Sequence, residues 1–313
     1  MKKRLTTNSF PRLIMLLSIV LLLAGCGFPG LKGTSSVNTI RINAMSTSES
    51  QILAEMIRIL IERETDHDAI VLNNLGTSLM AHQAMLSGDV DISAARYTGT
   101  EVAATLQREA ITDPEKAMQV VQEEFEKRFG YKFFNSYGFE NSYAFLITKD
   151  YQDQNNISKL SDFKEIAPSI RAGFPNDWVD RPGDGYPDFK KTYGYSFGSI
   201  YPMSVSLVYD ALVENKMETV VGYTTDGRIA SYNLTVVEDD LEFFPAYQAA
   251  IVMSRDALEK YPDVAELLTR FEGAIDTQTM QQLNYQSDHN LEEPSLVAKK
   301  FLKEHNYLQE GGQ

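Results

Sequence analysis

From residue 38 onward the chain alternates between two kinds of segment, and that alternation limits its fold more than any other feature. NTIRINAM (38–45) switches between apolar and polar residues one by one, as a half-buried strand does. QILAEMIRILIERET follows, with Ile52, Leu53, Met56, Ile59 and Leu60 on one helical face. Ser46 and Glu49, three residues apart, have the spacing of a capping box at its start. AIVLNNLG (69–76), VDISAARY, YAFLITKD, IRAGFPNDW (170–178) and ETVVGYTTDGRI read as further strands. Between them lie helices such as TSLMAHQAMLSGD, PEKAMQVVQEEFEKRFG (114–130) with its terminal glycine, and SVSLVYDALVENKM (204–217). Strands alternating with helices specify α/β layers around a largely parallel sheet. The pattern restarts near residue 141, and after 247 one more strand leads into a mostly helical last sixty residues. The expectation is two lobes, with the chain crossing between them twice. The glycine-, proline- and aromatic-rich stretch 176–197 is expected to be a loop.

The first residues fall outside this pattern. Lys2, Lys3, Arg4 and Arg12 precede the apolar run LIMLLSIVLLLA (13–24), the form of a secretory signal. Leu23, Ala24 and Gly25 then lead to Cys26, the chain's one cysteine, in an arrangement similar to the bacterial lipobox, where the cysteine is lipidated and becomes the first mature residue. Residues 1–25 are therefore expected to be a lipoprotein signal peptide and 26–37, rich in Gly, Pro and Ser, a flexible tether. Losing those four cations from a chain of net charge −14 leaves about −18, which argues against nucleic acid and against an electrostatic membrane anchor.

Nothing in the sequence selects an enzyme. The four histidines, His67, His82, His289 and His305, stand at no metal-ligand spacing, and HExxH and Walker A patterns are missing. No catalytic residue, metal or cofactor is expected. Tyrosine, by contrast, is frequent: sixteen against a single tryptophan. Tyr97 in RYTGT, Tyr143 in ENSYAF, Tyr223 in VGYTTDG and Tyr247 in FFPAYQ lie where strands meet loops, and ligands of α/β folds sit at the carboxyl ends of strands. Each ring taken alone fits a half-buried position with a wet hydroxyl. Taken together, rings facing one another across a cleft form an aromatic box suited to a trimethylammonium group, which is cationic yet has no N–H to donate; each contact contributes about 0.5–2 kcal/mol.

In motif after motif the chain resembles the substrate-binding lipoproteins of bacterial osmoprotectant ABC transporters, the OpuC-type glycine betaine/carnitine/choline-binding proteins. The motifs are NNLGTS, SGDVDISAARYTGT, FNSYGFENSYAF, KTYGYSFGSIYPM, GYTTDGRI, FFPAY, TMQQLNY and EPSLVAKKFL, in order along nearly the whole mature chain. The resemblance implies a two-lobe periplasmic-binding-protein fold of type II, with the ligand in the cleft. Residues 38–140 plus 247–313 would form lobe I and 141–246 lobe II. It implies a cage made of Tyr97, Tyr143, Tyr223 and Tyr247, and a specificity position at Thr100, where choline-selective relatives carry an aspartate. A neutral threonine there suits broad specificity for glycine betaine, carnitine and choline. One departure stands out: relatives read A-Q-S after the first strand, with a glutamine that reaches the ligand, and this chain has Met45, which either alters recognition of the polar tail or packs the cleft wall. Thr77 and Ser78, at a helix start, are candidates to hold an anionic tail through their N–H groups or are plain caps. Arg228 reads as a carboxylate clamp or as a loop pin paired with Asp226. The implied protein is a monomer, held by lipid at the extracytoplasmic face of the cell membrane, which delivers its ligand to permease subunits driven by a cytoplasmic ATPase. The competing readings are a receptor of the same fold for another small solute such as an amino acid, and a secreted hydrolase, for which no nucleophile is found.

Overall fold

The computed structural model describes residues 39–308; the expected signal peptide (1–25), Cys26 and the expected tether (26–37) lie outside the described residues. Among the described residues, ten strands form two five-stranded sheets. The first holds β1 (Ile40–Asn43), β2 (Ala69–Leu72), β3 (Ile92–Tyr97), β4 (Lys132–Glu140) and β10 (Gln248–Met253), in the order β2-β1-β3-β10-β4. The second holds β5 (Tyr143–Thr148), β6 (Arg171–Pro175), β7 (Ser199–Met203), β8 (Thr219–Tyr223) and β9 (Leu234–Val236), in the order β7-β6-β8-β5-β9. The architecture is α/β, as the alternation predicts, but the sheets are mixed rather than largely parallel. β10 runs antiparallel to both β3 and β4, and β5 antiparallel to both β8 and β9. Each sheet thus contains one strand that enters against the grain directly after the chain has crossed from the other sheet.

Helix Ser48–Glu64 carries the first core. Ile52, Leu53, Met56, Ile57, Leu60 and Ile61 are all inaccessible. The expected face included Ile59, which is only partly buried, and omitted Ile57 and Ile61. Burial on more than one side arises because the helix lies between the sheet and the C-terminal helix Pro294–Glu304, so its apolar surface exceeds a single stripe. Its cap is Thr47, not Ser46: the Thr47 hydroxyl accepts from the Ser50 N–H at 3.3 Å. Glu49 makes no capping box and turns into the protein instead. Helix Pro114–Phe129 begins and ends as its sequence dictates, with Asp113 accepting from the Lys116 N–H at 2.8 Å and Gly130 in the left-handed region at φ 70°.

Two strands escape the periodic reading. β4 pairs with β10 through register shifts and has Gly138 at φ 115°, so its alternation is broken by bulges. β7 is an exposed edge strand containing Pro202, a residue tolerated only where one side of the ladder is free. The stretch expected to be a loop at 176–197 folds into helices Asn176–Val179 and Tyr186–Tyr193. Trp178, Tyr186, Phe189, Tyr193 and Phe197 join Phe145 and Phe174 in a second, aromatic core. The chain crosses between the sheets at residues 141–142 and 237–247. The crossings are tied together: Asn141 N–H donates to the Tyr247 carbonyl at 3.1 Å, Ser142 N–H to the Thr224 hydroxyl at 3.0 Å, and that hydroxyl to the Glu140 carbonyl at 2.7 Å.

Candidate functional site

Strand direction places the four tyrosines. Tyr97 is the last residue of β3, and Tyr247 stands just before β10, which runs the opposite way beside it, with Ala249 opposite Tyr97. Tyr223 ends β8, and Tyr143 opens the antiparallel β5 directly opposite it. In both sheets, then, the carboxyl end of one strand and the amino end of its neighbour share an edge, and each edge carries two tyrosines. The Tyr143 and Tyr223 rings lie 5.1 Å apart at 30°. On the other sheet, Gly99 lets Tyr247 approach the backbone: a Cβ there would stand 2.9 Å from the Tyr247 ring and 2.8 Å from the Ala246 carbonyl. Thr98 fixes the same junction, donating to the Ala246 carbonyl at 2.8 Å and accepting from the Gln248 N–H at 3.1 Å.

The two edges meet through side chains that the sequence did not single out. The loop between helices Asn176–Val179 and Tyr186–Tyr193 is pinned by the buried Trp178, whose indole N–H donates to the Asp184 carbonyl at 2.8 Å. From that loop Asp184 accepts the Tyr247 hydroxyl at 2.6 Å and Arg181 Nε at 2.5 Å. The Arg181 guanidinium stands 5.5 Å from the centre of the Tyr143 ring and 3.5 Å from the Tyr247 hydroxyl. Asp177 lies 3.4 Å from the Tyr143 hydroxyl. On the opposite side the buried Glu49 accepts the Tyr97 hydroxyl at 2.6 Å, the Asn141 amide at 2.9 Å and the Asn284 amide at 3.2 Å. Asn284 also donates to the Thr225 carbonyl at 2.9 Å, and Gln281 to that of Thr224 at 2.7 Å. Helix Thr277–Asp288, whose Met280 and Leu283 pack in the first core, is thereby tied to the GYTTDG turn after β8.

These surroundings set the chemistry of the rings. Burial, then the charge of Glu49, pushes the Tyr97 hydroxyl well above the ordinary tyrosine range. Burial and Asp184 raise that of Tyr247, and burial with the neighbouring hydroxyl raises that of Tyr143. All three stay protonated and act as donors. Burial disfavours the Arg181 cation, but Asp184 and the two tyrosines more than offset it, so its pKa is raised.

The remaining candidates fall in several places. Thr100 is half-buried in the short helix Thr98–Thr100 that follows Tyr97. Beneath that turn, Arg96 and Glu101 form a fully buried bidentate ion pair at 2.7 and 2.5 Å. Thr105 donates to Glu101 at 2.6 Å. Ser78 is buried at the start of helix Ser78–Leu86, which the Thr77 hydroxyl caps by accepting from the Met80 N–H at 3.1 Å. Met45 packs half-buried against the first core, and its N–H donates to the Ser50 hydroxyl at 2.8 Å. Arg228 pairs with Asp226 at 2.9 and 2.7 Å, donates to the Ser206 carbonyl at 2.7 Å, and lies 4.0 Å over the Tyr209 ring; it pins the loop. Cys26 lies outside the described residues. Among the described residues there is no group of side chains able to hold a metal ion, and no helix long and apolar enough to cross a membrane.

Residues missed in the sequence are Glu49, Asp177, Arg181 and Asp184. The only local signal was DRPGDG, a charged turn inside an aromatic run.

Comparison with known proteins gives a consistent result. Residues 38–304 match the family model described as the substrate-binding domain of ABC-type glycine betaine transport systems. The chain is 45% identical over 296 residues to the carnitine transport binding protein OpuCC of Listeria monocytogenes, covering 95% of this chain and 96% of that one. It is 28% identical over 290 residues to the glycine-betaine-binding protein of Pseudomonas aeruginosa, covering 89% and 92%. A solved structure described as a glycine betaine/carnitine/choline ABC transporter superimposes with a TM-score of 0.83 at 43% identity, over 86% of this chain and all of that one.

Proposed function

Because this chain belongs to the family of substrate-binding domains of ABC-type glycine betaine transport systems, we propose that it captures quaternary-ammonium osmoprotectants (glycine betaine, carnitine, choline) in a cage formed by Tyr97, Tyr143, Tyr223 and Tyr247. Its Listeria relative is a carnitine transport binding protein, and the substrate class follows from that kinship. The observation that carries the cage is the Arg181 guanidinium standing 5.5 Å from the Tyr143 ring centre and 3.5 Å from the Tyr247 hydroxyl, so that one cation reaches tyrosines at both sheets. The Tyr143 face thus lies beside a protein cation that Asp184 holds in place, and such π faces suit a trimethylammonium group that no acceptor can hydrogen-bond. Thr100, in the turn after Tyr97, is the neutral partner for the ligand's polar end. Thr77 and Ser78 serve the helix start, and Met45 the cleft wall.

The lobes are 38–140 plus 247–313 and 141–246. The strand origins support this division, since one sheet draws on residues 40–140 and 248–253 and the other on 143–236. The two hydrogen-bonded crossings act as the hinge. Ligand binds without any bond being made or broken, and the closed form then meets permease subunits served by a cytoplasmic ATPase. The protein works as a monomer at the extracytoplasmic face of the membrane, held by lipid on Cys26 once residues 1–25 are removed.

Calorimetric titration of the processed protein with glycine betaine, carnitine, choline and proline tests this reading. Saturable binding of the three trimethylammonium compounds, with no heat from proline and no consumption of ligand, is expected. Binding of proline alone would assign the cleft to amino acids instead.

A further inference from the structure

The cage rings are not satisfied as ordinary buried tyrosines are. Burial alone demands only some acceptor: Tyr137 donates to the Ala94 carbonyl at 2.7 Å and Tyr195 to the Leu160 carbonyl at 2.7 Å. Tyr97 and Tyr247 donate instead to the carboxylates of Glu49 and Asp184, each at 2.6 Å, and Tyr143 lies 3.4 Å from Asp177. Away from the cleft, Tyr193 bonds Asp239, so the arrangement is not unique to the cage. What is particular here is its repetition at three of the four cage tyrosines, two beside one sheet and one on the other.

A phenol that donates to a carboxylate gains phenolate character. Hydrogen bonds polarise one another in a medium of low dielectric, and the added electron density deepens the negative face that a cation meets. The carboxylate also attracts the cation directly, from behind the ring. It does so without entering the cage, where it would repel the ligand's own carboxylate. Arg181 offsets Asp184 by pairing with it at 2.5 Å, while Glu49 is surrounded by the neutral donors Tyr97, Asn141 and Asn284. The balance of charge behind the rings is negative.

We infer that Glu49 and Asp184 are specificity-determining residues that act through Tyr97 and Tyr247, making the cage select a permanent cation over a neutral group of the same shape. This rests on the cage reading above and adds the source of its charge preference. Neither residue touches the ligand; both are positioning and polarising groups.

The test is competition titration of the processed protein with choline and with 3,3-dimethylbutan-1-ol, in which carbon replaces the quaternary nitrogen. Glu49→Gln and Asp184→Asn keep the size of the side chain and an acceptor for the hydroxyl but remove the charge. Expected is a loss of about tenfold in choline affinity with the alcohol's changed less than about twofold, so that the cation-to-neutral ratio falls. Equal weakening of both compounds would assign the carboxylates to packing, and an unchanged ratio at wild-type affinity would remove them from recognition; either overturns the inference while leaving the cage in place. A wild-type protein that binds neither choline nor glycine betaine would overturn the cage itself. Thermal unfolding of each variant separates lost binding from lost folding.

Discussion

Replacing Tyr223 by alanine separates recognition from stability more cleanly than any other change in the cage. Its side chain is only half-buried, and its N–H bond to the Tyr209 hydroxyl, 2.9 Å, belongs to the backbone and survives the change. The loss to the fold is the pairing with Tyr143 at 5.1 Å, an aromatic contact of about 0.5–1.5 kcal/mol, together with some apolar area. A total near 2 kcal/mol lowers Tm by about 4–8 °C, at roughly 2–4 °C per kcal/mol for a chain of this size. The loss to binding is larger. One cation–π contact of up to about 2 kcal/mol disappears, and Tyr143 loses the neighbour that orients it. Together these weaken binding by about 2–3 kcal/mol, which is roughly 30- to 150-fold in Kd. Glycine betaine at one hundred times the wild-type Kd stabilises the wild type by about 2.7 kcal/mol. The same concentration gives Tyr223→Ala only about 0.4 kcal/mol if its Kd rises about a hundredfold. Thermal unfolding with and without ligand would therefore show an upward shift of about 5–10 °C in the wild type and about 1 °C in the variant. Tyr223→Phe, which keeps the ring and with it the cation–π contact, is expected to stay within about threefold of the wild-type Kd. A Tyr223→Ala protein that loses Tm yet retains the full ligand-induced shift would refute the cage, and so would a Tyr223→Phe protein as weak as the alanine variant.

Gly99→Ala places a methyl 2.9 Å from the Tyr247 ring and 2.8 Å from the Ala246 carbonyl; it is expected to displace that ring and weaken glycine betaine about tenfold by calorimetry, at a core-overpacking cost of about 1–3 kcal/mol. Arg96→Met leaves Glu101 buried without its partner, a loss of about 3–5 kcal/mol; Tm should fall by about 6–20 °C, and the double change Arg96→Met with Glu101→Leu should recover most of it. Stability should decline with acid in two steps. Burial, and then the Arg96 charge, holds the His82 pKa below its ordinary 6.5. Burial of Glu101 opposes its charge, but Arg96, Thr105 and Ser78 prevail, and its pKa lies below the ordinary 4.5. Both folded-state values are depressed, so each contribution is full above the ordinary value and is lost as pH falls. Denaturant titrations should show a first loss starting near pH 6.5 that His82→Gln removes, and a second below about pH 4.5 that it does not. Thr100→Asp adds a negative charge beside the proposed site for the ligand's polar end; like charges about 6 Å apart at an effective dielectric near 20 repel by about 3 kcal/mol, so the ratio of glycine betaine to choline affinity should fall by at least about tenfold, and equal changes in both would show that Thr100 does not select.

Much of this molecule is written in local sequence. The strand alternation of β1, the apolar face of helix Ser48–Glu64 and the Asp113 and Gly130 caps each depend on residues a few positions apart, and the structure places them there. So does the presence of Tyr97 and Tyr223 at strand ends, because a strand and the turn that stops it are encoded together. The motifs from NNLGTS to EPSLVAKKFL sufficed to name the family. Other features were decided only by packing. That Tyr143 and Tyr247 share an edge with Tyr223 and Tyr97 follows from β5 and β10 running against their neighbours, and direction within a sheet leaves no trace in period or composition. β4 was hidden because its bulges break alternation, and the aromatic stretch 176–197 because its rings are buried by residues from β5 and β6. The pairs that surround the cage are more distant still: Glu49 meets Tyr97 across 48 positions and Asn284 across 235, and Asp184 meets Tyr247 across 63. In the sequence Glu49 is simply an acid in the first turn of a helix, where any acid is favoured by the helix dipole. Which way such a side chain turns is settled by the donors that folding brings within hydrogen-bonding distance of it, and those come from parts of the chain that no local pattern connects.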